Sequence, residues 1–189
     1  WDGLPADLRG QLDKAMKEAT TYANEVASKD NADALAARGV RAVDRVWVDG
    51  SYFDDQLLPP AFEQQPGETA AFRAAVSAVT VDRASFVLRV LPARAVGQPA
   101  IVRLAGPGYF AVDSTMTTTE SGAPNVIASQ RVDGARMALT LRGSVPIGIL
   151  GVSYRRRIED PLRHAAHVFA QQLEELGIGG RRAVDVGTG

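Results

Sequence analysis

The sequence predicts an α+β protein. A small discontinuous α/β domain is expected from both ends of the chain, residues 1–57 and 151–189, with an antiparallel β-rich domain, residues 58–150, inserted between them. Three observations predict it. Apolar residues recur every three or four positions near both termini, the period of a helix that buries one face. In the middle the period drops to two, as in Met137, Leu139 and Leu141 against Arg136, Thr140 and Arg142, the pattern of a half-buried strand. Turn residues punctuate the same region at Gly97, Gly106-Pro107-Gly108, Gly122-Ala123-Pro124, Gly134 and Gly148, spacing short strands as in a small barrel or sandwich.

The first element is a helix from Pro5 to Ser28. Leu4, Leu8, Leu12, Met16, Ala19, Ala23 and Val26 stripe one face, and Asp13, Lys14, Lys17, Glu18 and Glu25 fall mostly off it. Asp30 or Asn31 caps a short second helix through Leu35 and Ala36, which Gly39 ends. The β-branched run from Val40 to Val48 reads as a strand. Pro59, Pro60, Pro66 and Gly67 mark a loop or a crossing between domains. Beyond it, Phe86, Leu88 and Val90 share one face of a strand, with Val87 and Arg89 on the other.

Helical spacing returns after a strand from Val152 to Ile158. Asp160 is a good N-cap, and Pro161 occupies the first helical position, where its missing N–H costs nothing. Leu162, Ala165, Ala166, Phe169, Leu173 and Leu176 form the expected buried stripe, and Gly177 is the expected C′ residue. Ala183 to Val186 is a last strand. The strands near 43–48 and 152–158 are expected to lie in one sheet beneath the 162–176 helix.

A length of 189 residues suits one domain or two small ones, large enough to bury a core. The net charge of −1 removes the electrostatic case for nucleic acid or an anionic membrane as partner. The absence of cysteine excludes disulfides, thiolate metal sites and thiol nucleophiles without choosing a compartment. No apolar run approaches the roughly 20 residues that span a bilayer. The start, Trp1-Asp2-Gly3-Leu4-Pro5, does not read as a signal peptide, so an export signal would have been removed or lie outside the chain.

Residues with chemistry are few. His164 and His167 stand three apart on the last helix, with Glu174 or Glu175 two turns on, a spacing that suits a metal. Both lie at the flank of the buried stripe, so a solvated or partly packed pair is expected, with no metal and no cofactor. Arg155, Arg156 and Arg157 alternate between strand faces and cannot present three guanidinium groups together; pairing with nearby acids is expected. Neither Gly177-Ile178-Gly179-Gly180 nor Gly187-Thr188-Gly189 has the lysine or context of a phosphate loop. A Gly-x-Ser-x-Gly nucleophile elbow is absent.

Several stretches together resemble one family. They are Leu35-Ala36-Ala37-Arg38-Gly39-Val40, Asp49-Gly50-Ser51-Tyr52-Phe53-Asp54-Asp55, Phe72-Arg73-Ala74-Ala75-Val76-Ser77-Ala78, Pro92-Ala93-Arg94-Ala95-Val96-Gly97, Gly143-Ser144-Val145-Pro146 and Arg157-Ile158-Glu159-Asp160-Pro161. Their order and spacing resemble the class C penicillin-binding proteins, serine-type D-alanyl-D-alanine carboxypeptidases and endopeptidases of the bacterial cell wall. The resemblance runs from about Ala34 to Val186 and implies the two nested domains that interrupt the family's transpeptidase-like domain. At the start the sequence departs from the family, with the Pro5–Ser28 helix in place of a Gly-Gly-Gly-Asp-Pro-like strand and loop.

The family's catalytic motifs, Ser-x-x-Lys, Ser-x-Asn and Lys-Thr-Gly, are all missing. Lys14, Lys17 and Lys29 have Gln11, Lys14 and Val26 three positions upstream and Ala15, Glu18 and Asp30 after them. No catalytic residue is therefore expected. The resemblance implies an accessory region of such an enzyme in the periplasm or cell envelope. Its expected partners are the catalytic domain, a peptidoglycan peptide and further copies of the chain. The alternative is a stand-alone cell-wall binding or scaffold protein that keeps the fold without the enzyme. The resemblance also implies that Tyr52 and Asp55 look toward the substrate's diamino acid side chain, the carboxylate pairing with its ammonium. Against that, Asp49, Asp54 and Asp55 also suit plain turn capping.

Overall fold

A computed structural model describes residues 11, 14, 33–35, 37–54, 56–65, 67–104, 107–180 and 183–187. The chain divides into two compact units, Trp1–Val43 with Leu173–Arg181, and Asp44–Gln172 with Arg182–Gly189. Apart from the helical Gln11 and Lys14, the helix expected over Pro5–Ser28 lies outside the described residues.

In the first unit, Asp33 to Leu35 are helical, and Leu35 O accepts from Arg38 N and Val40 N at 3.2 and 3.0 Å. Gly39 and Gly177 both take φ +73°, the left-handed geometry a helix end asks of glycine. At Gly177 the cap is complete: its N–H reaches Glu174 O at 2.9 Å, and Ile178 N reaches Leu173 O at 2.9 Å.

Among the described residues the second unit carries nine strands: β1 (Arg45–Asp49), β2 (Ser85–Leu91), β3 (Ile101–Arg103), β4 (Phe110–Ser114), β5 (Thr117–Thr119), β6 (Asn125–Asp133), β7 (Arg136–Pro146), β8 (Val152–Arg157) and β9 (Ala183–Gly187). Helix α1 (Pro161–Glu175) starts in this unit. The period-two readings hold. Phe86, Leu88 and Val90 of β2 and Met137, Leu139 and Leu141 of β7 all point into the core, joined by Tyr109, Phe110, Met116, Val145 and Ile158. Each fully buried large aliphatic side chain contributes roughly 1.5–3 kcal/mol relative to its exposed state, so these two strands hold the unit together.

Two expectations about pairing are corrected. The strands near 43–48 and 152–158 do not share a sheet: β1 pairs in parallel with β9, and β8 pairs antiparallel with β2. The partner of β1 is β9, not β8. Buried strand β2 needs ladder partners on both edges. On one edge β3 covers only Arg89 to Leu91, while on the other β8 runs from Ser85↔Arg157 to Val90↔Val152. The β-rich region is also mixed and not purely antiparallel. β4 and β5 both run parallel to β7 along its length, and β6 pairs antiparallel with it. A period of two reports which face is buried, not the direction of the neighbour.

The helix stripe is corrected too. Ala165 and Ala166 are buried, but Phe169 is 52% exposed and His164 only 5%. His164 packs on Tyr109 and Phe110 of the β-rich core, which the apolar stripe could not report. Asp160 does cap the helix, its Oδ1 accepting from Arg163 N at 3.0 Å.

Candidate functional site

The loop after β1 is folded by its own aspartates. Asp49 Oδ1 accepts from Ser51 N at 2.9 Å, and Asp54 Oδ1 accepts from Gln56 N at 3.1 Å, the side-chain turns that short acidic residues favour. The turn-capping reading thus holds for these two residues. Gly50 N donates to Gly187 O at 3.2 Å, tying the loop to the end of β9. A Cβ on Gly50 would lie 2.6 Å from Leu162 Cδ1, so a larger residue there would have to push the Leu162 side chain aside.

Tyr52 is at the tip, 85% exposed, its ring edge-on to Phe53 at 5.0 Å. Asp55 lies outside the described residues. Beside this loop is a cavity of about 340 Å³, lined among others by Gly50, Phe53, Asp54, Leu57, Ser77, Leu162 and Arg163. Its lining mixes apolar and polar groups, and its charged groups are Asp54, Asp160 and Arg163. The Arg163 guanidinium is paired to Asp160 at 3.0 Å, and among the described residues Asp54 forms no salt bridge. A cationic or amphipathic group of amino acid size fits such a site, since an ionised carboxylate favours a charged hydrogen-bond donor.

Sequence reasoning found the loop but missed Leu162, Arg163 and Ser77 as its neighbours. Arg163 was legible as the i+3 partner of Asp160, whereas Ser77 and Leu57 come together only through the fold. A second cleft, of about 580 Å³, lies between β1 and α1, lined by Trp47, Val48, Val79, Val81, Val168 and Phe169 with Arg45 and Asp49. It is largely apolar. Phe169 is exposed because it faces this cleft.

The other singled-out residues have structural partners. His167 Nδ1 lies 2.8 Å from Arg163 O, and both histidine rings sit 5.2 Å from Tyr109. Among the described residues no three His, Asp or Glu side chains are grouped to hold a metal. The arginine run separates as alternation requires. Arg155 reaches Ser85, Arg156 reaches Thr69, and the buried Arg157 pairs with Glu159 at 3.0 Å. Gln130 Nε2 donates to the same Glu159 at 2.7 Å and to Arg157 O at 2.9 Å, closing a small polar network. Among the described residues no helix is long and apolar enough to cross a membrane.

A sequence profile of the D-Ala-D-Ala carboxypeptidase 3 (S13) family matches residues 8–188. The D-alanyl-D-alanine carboxypeptidase of Actinomadura sp. (strain R39) is 32% identical over 163 residues, covering 80% of this chain and 30% of that enzyme. A stretch of 37 residues is 60% identical to the C4-dicarboxylate-binding periplasmic protein DctP of Rhodobacter capsulatus, 20% of this chain and 11% of that one. Penicillin binding protein 4 of Haemophilus influenzae superposes with a TM-score of 0.60 at 16% identity, over 82% of this chain and 34% of its own, a likeness of fold. The chain thus spans about a third of the length of the carboxypeptidase and the solved structure it matches.

Proposed function

The chain belongs to the D-Ala-D-Ala carboxypeptidase 3 (S13) family, and we propose that it forms the accessory, non-catalytic region of a D-alanyl-D-alanine carboxypeptidase or endopeptidase acting on peptidoglycan stem peptides. One observation carries the reading: a family match over nearly the whole chain coexists with the absence of Ser-x-x-Lys, Ser-x-Asn and Lys-Thr-Gly. The serine ester of acyl transfer would form on a transpeptidase-like domain outside this chain, where a lysine-activated serine is available. Peptidoglycan, reached in the periplasm or cell envelope, is the substrate that domain would share with this one. The parallel pairing of β1 with β9 joins segments distant in sequence, as a discontinuous domain requires.

Within this reading the 49–55 loop and its cavity face the stem peptide. Tyr52 supplies an exposed aromatic surface, and Asp55 a carboxylate for the diamino acid's ammonium. Asp55→Ala in the full-length parent is expected to slow processing of peptides with a free side-chain amine about tenfold or more, since a charged hydrogen bond is worth roughly 1.5–3 kcal/mol. Peptides with that amine acetylated should lose far less. Equal losses on both peptides would assign Asp55 to folding, and no loss on either would remove the loop from the substrate.

A further inference from the structure

The first turn of α1 is held on the β-rich core by a buried histidine. His164 is 5% exposed, its ring 5.2 Å from that of Tyr109 and 6.4 Å from that of Phe110. Among the described residues its Nδ1 has no hydrogen-bond partner, and it is buried. Tyr109, also buried, donates its hydroxyl to Asp160 O at 3.1 Å, so the same aromatic seat grips the helix cap. An unpartnered ring nitrogen in such a seat is tolerable only while the imidazole is neutral, because a buried imidazolium must present two donors.

A second observation points to the same place. Asp82, Arg83 and Ala84 are three consecutive non-glycine residues at positive φ, +51°, +58° and +47°. Left-handed backbone is unfavourable for side chains with a Cβ, and three in a row persist only where surrounding contacts impose them. Here Ala84 N donates to Val81 O at 3.0 Å, Ser85 Oγ to Asp82 O at 2.8 Å, and Ile158 N to Ala84 O at 2.7 Å. The turn so held brings the Asp82 charge to bear on His164.

We propose that His164 is a proton-operated latch: neutral, it seats the first turn of α1 on Tyr109 and Phe110, and protonated, it releases the turn carrying Asp160, Leu162 and Arg163, which walls the cavity beside the 49–54 loop. The direction follows from the surroundings. Burial pushes the His164 pKa down, Asp82 opposes this, and His167 on the next turn adds to it. Among the described residues, the other titratable groups at the seat are Tyr109 and the Asp160, Arg163 and Glu159 charges that act on it. Burial raises the Tyr109 phenol far above its ordinary range, so it stays a donor throughout. With a folded pKa below the unfolded value of about 6.5, His164 binds fewer protons folded than unfolded. Its contribution is therefore complete above about pH 6.5 and is lost as pH falls through the folded pKa.

The test uses the 189-residue chain. The His164 ring resonance should titrate with a midpoint below about 6.5, and Tyr109 ring signals should shift over the same interval. The native chain's Tm should fall relative to that of His164→Phe as pH drops from 7.5 to 5. His167→Gln should keep the response, moved to slightly higher pH. A midpoint at or above the ordinary histidine value, or static Tyr109 signals, overturns the latch. So does a His164→Phe variant whose Tm follows pH as the native chain's does. If His164→Phe does not fold, the resonance titration of the native chain decides alone.

Discussion

Glu159 is the residue on which the polar interior of the second unit turns. It neutralises the buried Arg157 guanidinium at 3.0 Å and accepts from Gln130 at 2.7 Å. Removing one charge of a buried pair leaves the other uncompensated, which is far more costly than replacing both. Glu159→Gln keeps the shape and removes only the charge. Chemical denaturation should show a loss of about 3 kcal/mol, and a loss under about 1 kcal/mol would mean that solvent screens the pair. Single residues were unevenly legible. Asp160 and Pro161 announced the helix start because capping is local chemistry, readable from neighbours in sequence. His164 was not legible as buried, since it lies off the apolar stripe and its seat is made by Tyr109, distant in sequence. Asp49 and Asp54 turned out to fold their own loop, as short-range side-chain turns allow.

At the scale of elements, β7 is the spine: β4, β5 and β6 all pair with it. Its inward face was legible from alternation, because burial repeats every second residue. Its neighbours' directions were not, because the same alternation serves parallel and antiparallel ladders. The same gap explains why β8 was assigned to the wrong sheet. Gly143 shows what pairing demands of one position. It sits at φ +117°, and an added Cβ would lie 2.1 Å from Asn125 O, the carbonyl of the partner strand. Gly143→Ala is therefore expected to destabilise by roughly 1–3 kcal/mol from backbone strain alone. Amide exchange should quicken at the Asn125 end of the β6–β7 ladder and remain slow near Met137. Uniform quickening along both strands would contradict a local cause.

For the molecule as a whole, family and class were legible while the assembly of sheets was not. Short motifs such as Asp49-Gly50-Ser51 and Arg157-Ile158-Glu159-Asp160-Pro161 keep order and spacing that survive divergence. The cavity beside the loop draws on residues from 50 to 187, so no local window contains it. In the proposed function this chain assists a serine acyl-transfer enzyme without holding its nucleophile. Fluorescent penicillin tests it most directly, incubated with the 189-residue chain and, in parallel, with the full-length polypeptide of its gene. A covalent band is expected on the longer polypeptide and none on the chain alone. A stable labelled band at 20.1 kDa would contradict it, and so would a full-length polypeptide that takes no label.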